Sequence, residues 1–277
     1  LRSKVSSASA AGAAAQVSSI PVSTRFAGSA REIDLTPYLG EYSSVSVRKS
    51  ARSPMGEFAV TLADNFAPGE LESLYGIIEP MDVVEIRMAR NIADYAGAYT
   101  NHMPIMMRGF VRATERAEGI DPEGKMIRSV SIEGADYGLI LDIIRYSRYP
   151  GFASAQYLLD VFSFFSQYGD GASGVMDASS FVELAIQNIA NPFIADMQAA
   201  GTGSGLPTSP VMKLTAQTLV QGGTVFPAGI NQWPGGGTPD GMLRYFGDGG
   251  PWNELFVQDF EAGPYLIYRP LPFKTVN

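Results

Sequence analysis

The sequence predicts an α+β fold, mainly β: an antiparallel barrel or sandwich, then a helical stretch, then further strands. Three observations predict it. Glycine (30 residues) and proline (18) are frequent while only 17% of side chains are charged, a composition of strands joined by many turns. Apolar side chains alternate with polar ones in short runs between residues 31 and 136. Beyond Asp136 the charged fraction falls from roughly 23% to roughly 12%, which marks a boundary.

The elements follow in chain order. Residues 1–30 are rich in Ala and Ser and carry too little apolar bulk to offset the entropy of ordering, so a flexible or partner-ordered arm is expected. The chain opens on Leu1, as expected of a processed or trimmed product, and Arg2 and Lys4 are followed by no apolar centre of a signal peptide. Residues 31–136 form the first β-barrel-like domain, with strands expected at 31–35, 42–49, 57–64, 82–89, 105–114 and 126–132. In Tyr42-Ser-Ser-Val45-Ser-Val47-Arg-Lys49 and Phe58-Ala-Val60-Thr-Leu62 every second side chain is apolar, which turns one face inward. Ser53-Pro54-Met55-Gly56 between them reads as a turn.

Residues 137–250 read as a helical and loop-rich insertion. Tyr137 to Tyr146 and Gln156 to Phe165 show helical spacing, and a longer helix is expected over 179–199, with Ser180 as N-cap, Glu183 three residues on and Pro192 kinking or ending it. No Lys or Arg occurs between Tyr149 and Met212, although Asp160, Asp170, Asp177, Glu183 and Asp196 do. Residues 201–210 and 222–239, which include Trp233, are Gly/Pro-rich loops. Strands return at 253–259 and 264–269, joined by a Phe260-Glu-Ala-Gly263 turn.

The chemistry that the sequence excludes is as informative. Without Cys there is no disulfide, thiol nucleophile, iron–sulfur cluster or cysteine zinc site, and a single histidine, His102, argues against triads and His-rich metal centres. His102 reads as a turn residue ahead of Pro104. A net charge of −8 opposes tight binding of duplex nucleic acid through overall charge. No apolar run approaches the length of a membrane-spanning helix.

The remaining motifs are weak. Gly201-Thr-Gly203-Ser-Gly205 lacks the Lys-Ser/Thr sequel of a phosphate loop, and Ser46-Val-Arg-Lys49 has Ser-x-x-Lys spacing on a strand, which points the two side chains apart. Carboxylate pairs such as Glu79 with Asp82, or Glu254 with Asp259, could serve a glycosidase, but they read better as turn residues or strand ends. Asp170, Asp177, Asp240 and Asp248 lie near glycines without the ligand spacing of a calcium loop. Phe162, Phe164, Phe165 and Tyr168 read as packing residues rather than a sugar platform. No catalytic, cofactor-binding or metal-ligating residue is assigned.

Several segments together resemble the baseplate hub proteins of contractile-tailed bacteriophages, a tail hub family with two tube-like barrel domains. They are Tyr42 to Lys49, Gly56 to Asp64, Ile78-Glu-Pro-Met-Asp-Val-Val-Glu-Ile86, Met107-Arg-Gly-Phe-Val111 and Arg128-Ser-Val-Ser-Ile-Glu-Gly-Ala-Asp-Tyr137. Pro251-Trp-Asn-Glu-Leu-Phe256 and Gly263-Pro-Tyr-Leu-Ile-Tyr-Arg-Pro270 are similar to the start of the second barrel. The resemblance implies that residues 251–277 supply strands of a second, partial barrel-like domain. It also implies a homotrimeric ring in the virion, within the phage tail baseplate, that joins the tail tube protein above to the central spike protein below. Such a ring contacts other baseplate proteins and lines a conduit that DNA passes without tight binding. No cofactor or enzymatic role is expected; the competing expectation is a tail-associated, carboxylate-dependent cell-wall glycosidase.

Overall fold

The computed structural model describes residues 33–40, 43–51, 53, 55–64, 73–89, 103–120, 124, 126–147, 176–202, 211–221, 223–225, 236–247 and 252–271. The chain divides into two compact units. One comprises the chain up to Arg48, then Glu57–Asp136 and Asp196–Val211; the other comprises Lys49–Gly56, Tyr137–Ala195 and Met212–Asn277.

The first unit is a curled antiparallel sheet, a half-barrel. Its strands are β1 (Ser44–Arg48), β2 (Glu57–Ala63), β3 (Val83–Arg87), β4 (Ile105–Ile120) and β5 (Met126–Asp136), in the order β1-β2-β5-β4-β3. Alternation in β2 buries Phe58, Val60 and Leu62 on one side and leaves Glu57, Ala59 and Thr61 on the other. The buried side joins Ile86, Met107, Val111, Val130 and Ile132 in one core, closed by Leu74 and Ile77 of the one-turn helix α1 (Leu74–Ile77).

Two glycines let the central strands approach. A Cβ on Gly109 would lie 2.1 Å from the Ala135 carbonyl oxygen, and one on Gly134 would meet the Phe110 carbonyl and the Phe58 ring, each at 2.3 Å. The turn into β3 places Met81 at φ +68°, where the Asp82 carboxylate accepts the Glu79 N–H at 2.8 Å and Met81 N–H donates to Val111 O at 2.7 Å.

Two sequence expectations for this unit need adjusting. The first expected strand is absent from its described part: Ile33–Leu35 is irregular and runs into a 3₁₀ turn at Thr36–Tyr38, because the Asp34 carboxylate accepts the Thr36 N–H at 2.9 Å and Pro37 sets the turn. Strands β4 and β5 also run further than expected, since mutual pairing from Gly109↔Asp136 to Ile120↔Met126 carries polar residues that lack strand propensity.

The second unit mixes helices and short strands. A brief helix α2 (Gly138–Ile143) follows Tyr137, shorter than the expected 137–146, and gives way to the two-residue strand β6 (Tyr146–Ser147). After β7 (Met176–Asp177) come α3 (Ala178–Ala185), a π-helical segment (Ile186–Ala190) and α4 (Asn191–Thr202), whose residues from Asp196 onward belong to the first unit. The N-cap of α3 is Asp177 rather than Ser180, since its carboxylate reaches the N–H groups of Ser179 and Ser180 at 3.0 and 3.1 Å. Pro192 does not end the helix, which continues to Thr202. The wider π turn sits directly before it, where the i−4 carbonyl would otherwise collide with the ring.

Strands β8 (Thr215–Thr218), β9 (Thr224–Val225) and β10 (Gly236–Gly237) precede helix α5 (Pro239–Phe246), capped by Thr238. Strands β11 (Asn253–Phe260) and β12 (Gly263–Pro270) form the expected hairpin, and β8 adds to β12 in parallel, giving the order β11-β12-β8. The tight turn uses Gly263 at φ +144°. Beneath this sheet the Tyr268 hydroxyl donates to Gly247 O and accepts from the Asn253 amide at 3.2 Å. The Tyr137 hydroxyl accepts the Met212 N–H at 2.9 Å.

Candidate functional site

Of the acidic residues considered from sequence, Asp82, Asp177, Asp240, Glu254 and Asp259 are occupied structurally. Glu254 and Asp259 stand five positions apart on β11, hence on opposite faces. Glu254 is bound by its cross-strand neighbour Arg269 at 2.6 Å, whose guanidinium also lies 5.1 Å from the centre of the Phe256 ring. Asp259 is fully buried and takes the Lys49 ammonium at 2.6 Å; Lys49 also donates to Val257 O at 3.3 Å. That same contact removes Lys49 from Ser46, whose hydroxyl donates instead to Ala59 O at 3.4 Å. Asp82 caps its own turn.

Asp177 and Asp240 are likewise engaged. Burial pushes the Asp177 carboxyl up, but hydrogen bonds from Ser180 and Ser179 outweigh it and hold it below the usual range. Asp240 pairs with Arg244 at 2.9 Å, one helical turn on, yet burial leaves its carboxyl above the ordinary value. His102, Asp170, Asp248, Trp233, Gly203–Gly205, the aromatic run 162–168, the helix expected at 156–165 and the arm 1–30 lie outside the described residues. Gly201 and Thr202 close α4. Among the described residues no three His, Cys, Asp or Glu side chains are grouped to hold a metal ion, and no helix is long and apolar enough to cross a membrane.

What the first unit does present is a mixed-charge depression of about 500 Å³ on the outer face of its sheet. Four strands build it. Register places Ser46 of β1 beside Ala59 of β2, Ala59 beside Glu133 of β5, and Glu133 beside Ala113 of β4, so small side chains make the floor. One step along, Arg48 and Glu57 face each other across β1 and β2. On the far side, a β-bulge between Val111 and Ala113 inserts Arg112 and turns it and Ala113 to the same outer face.

The rim therefore carries two guanidinium groups and two carboxylates. Arg48, Glu57, Arg112 and Glu133 are all exposed. Opposite charges on neighbouring strands commonly pair, yet among the described residues none of these four makes an ion pair. By contrast, Glu85 of β3 is gripped by Arg108 at 2.7 Å and by Arg87. Burial raises its carboxyl, but the two arginines together bring it below the usual value.

Sequence reasoning missed this quartet because residues 48, 57, 112 and 133 are neighbours only through strand pairing. The signal available was the break of alternation at Val111-Arg112-Ala113, which betrays the bulge. No protein-family model matches this chain, and no curated protein matches it significantly.

Proposed function

We propose that this chain is a structural subunit of a phage tail baseplate hub: a homotrimeric ring that joins the tail tube to the central spike and surrounds the DNA conduit. The observation that carries the reading is a curled sheet left open at two unlike edges. Among the described residues, β1 and β3 each pair on one side only, and neither edge carries proline. Unlike edges meet head to tail, and a head-to-tail contact closes into a ring when the rotation between copies allows. Closure of the half-barrel into a continuous wall is then a property of the ring.

Two further features support it. Of the carboxylates nominated for glycosidase chemistry, Asp82, Glu254 and Asp259 are spent on strand and turn contacts, which favours a mechanical role. The net charge of −8 suits a conduit that repels phosphate instead of holding it. Strands β11, β12 and β8 are the proposed start of a second barrel-like wall.

Light scattering of the purified chain with low-resolution imaging tests the reading. Three chains of 29.7 kDa give a mass of roughly 90 kDa, with a threefold ring and a central hole. A monomer at every concentration overturns it, as does peptidoglycan cleavage that is lost in Glu79→Gln or Glu254→Gln.

A further inference from the structure

We propose that the mixed-charge depression receives the free end of the β4–β5 ribbon from a second copy of this chain. The inference deepens the hub reading by naming the two surfaces that meet, and it rests on that reading for the number of copies.

Among the described residues, no further strand covers the ribbon end. Strand β3 pairs with β4 only along Ile105–Phe110, and β2 pairs with β5 only along Ser129–Ala135. Beyond them Glu118–Ile120 and Met126–Arg128 continue, among the described residues, as a two-stranded ribbon, an arrangement of marginal stability in water. In its last strand pair Ile120 and Met126 face each other in register and are 74% and 60% exposed. Two large apolar side chains side by side on a projecting ribbon have the form of an interface anchor.

The charges beside that anchor match the depression. Glu118 and Arg128 are opposed in register and 3.3 Å apart, and Glu118 also takes Arg116 at 2.9 Å. A ribbon that offers both signs next to an exposed apolar pair fits a rim that offers both signs around a floor of Ser46, Ala59 and Ala113. A simple anion or cation fits less well, because each would meet as many like charges as opposite ones.

One copy cannot satisfy itself. Along β4 Ile120 is seven residues from Ala113 in the depression, about 24 Å of paired, extended strand. The Ile120 and Met126 pair therefore reaches another molecule's depression, a head-to-tail contact.

The natural absence of Cys makes the test clean. Gly119→Cys adds a side chain with no heavy atom within 4 Å, and Ser46→Cys replaces an exposed residue of the floor. The two full-length variants are mixed and mildly oxidised, then run on a non-reducing gel. A covalent dimer, reversed by reductant and absent when either variant is oxidised alone, is expected. If light scattering shows a trimer but the mixture gives no such dimer, the docking inference fails while the hub reading stands; a monomer overturns both. Independently, Ile120→Asp with Met126→Asp, at exposed positions that leave folding intact by circular dichroism, should shift the particle from trimer to monomer. An unchanged mass overturns the inference.

Discussion

Replacing Lys49 by Met should destabilise the second unit by about 3–5 kcal/mol, the usual cost of removing one partner from a buried ion pair. The magnitude follows from the environment of Asp259. Its side chain has no solvent exposure, and the Lys49 ammonium at 2.6 Å compensates its charge. Methionine retains most of the lysine stem, so the loss comes from charge rather than packing. If so, adding Asp259→Asn to Lys49→Met should recover at least half of the loss, because a neutral amide left short of a partner costs only about 1–3 kcal/mol. Urea unfolding followed by the fluorescence of Trp252, which directly precedes β11, reads the effect. With a slope of about 3 kcal/mol/M, the midpoint should fall by about 1–1.7 M in the single variant. A midpoint within 0.2 M of the parent, or a double variant less stable than the single, would refute this account.

Three other outcomes are expected. Gly109→Ala forces a methyl group to within 2.1 Å of the Ala135 carbonyl, so β4 and β5 must separate; a loss of about 3 kcal/mol and a melting point lower by at least about 6 °C should appear in calorimetry. Asn191→Ala removes two 3.0 Å hydrogen bonds to the backbone of Leu214 and should cost about 2 kcal/mol in chemical unfolding. Asp177→Ala should cost about 1 kcal/mol at pH 7. The folded carboxyl lies below its ordinary value, so its contribution is present above about pH 4 and lost as pH falls through the folded pKa. Parent and variant stabilities should therefore converge in acid; a gap that stays constant between pH 7 and pH 2 contradicts the capping role.

Much of the fold is legible locally. Phe58, Val60 and Leu62 point inward because a strand alternates, and the Phe260 to Gly263 turn needs only short-range chemistry. The helix continues past Pro192 through structure that is not local. Proline's disruption is local, but its remedy is a π turn, and the following Asn191 is tied to Leu214, 23 residues away. Likewise β8 has little strand character of its own and exists through parallel pairing with β12. Neither the Arg48, Glu57, Arg112, Glu133 rim nor the Lys49 and Asp259 pair has a sequence spacing that announces it.

By itself, then, the order of residues determined the alternating strands of the first unit, their apolar face, the late hairpin and the absence of sulfur chemistry. These depend on side-chain period and residue type, which any short stretch carries. Only the tertiary structure decided which strands are neighbours, where the bulge aims Arg112, which carboxylates are consumed by internal cations, and where the ribbon and the two sheet edges stand open. Those properties depend on register and on contacts between residues tens to hundreds of positions apart, which a local pattern does not encode.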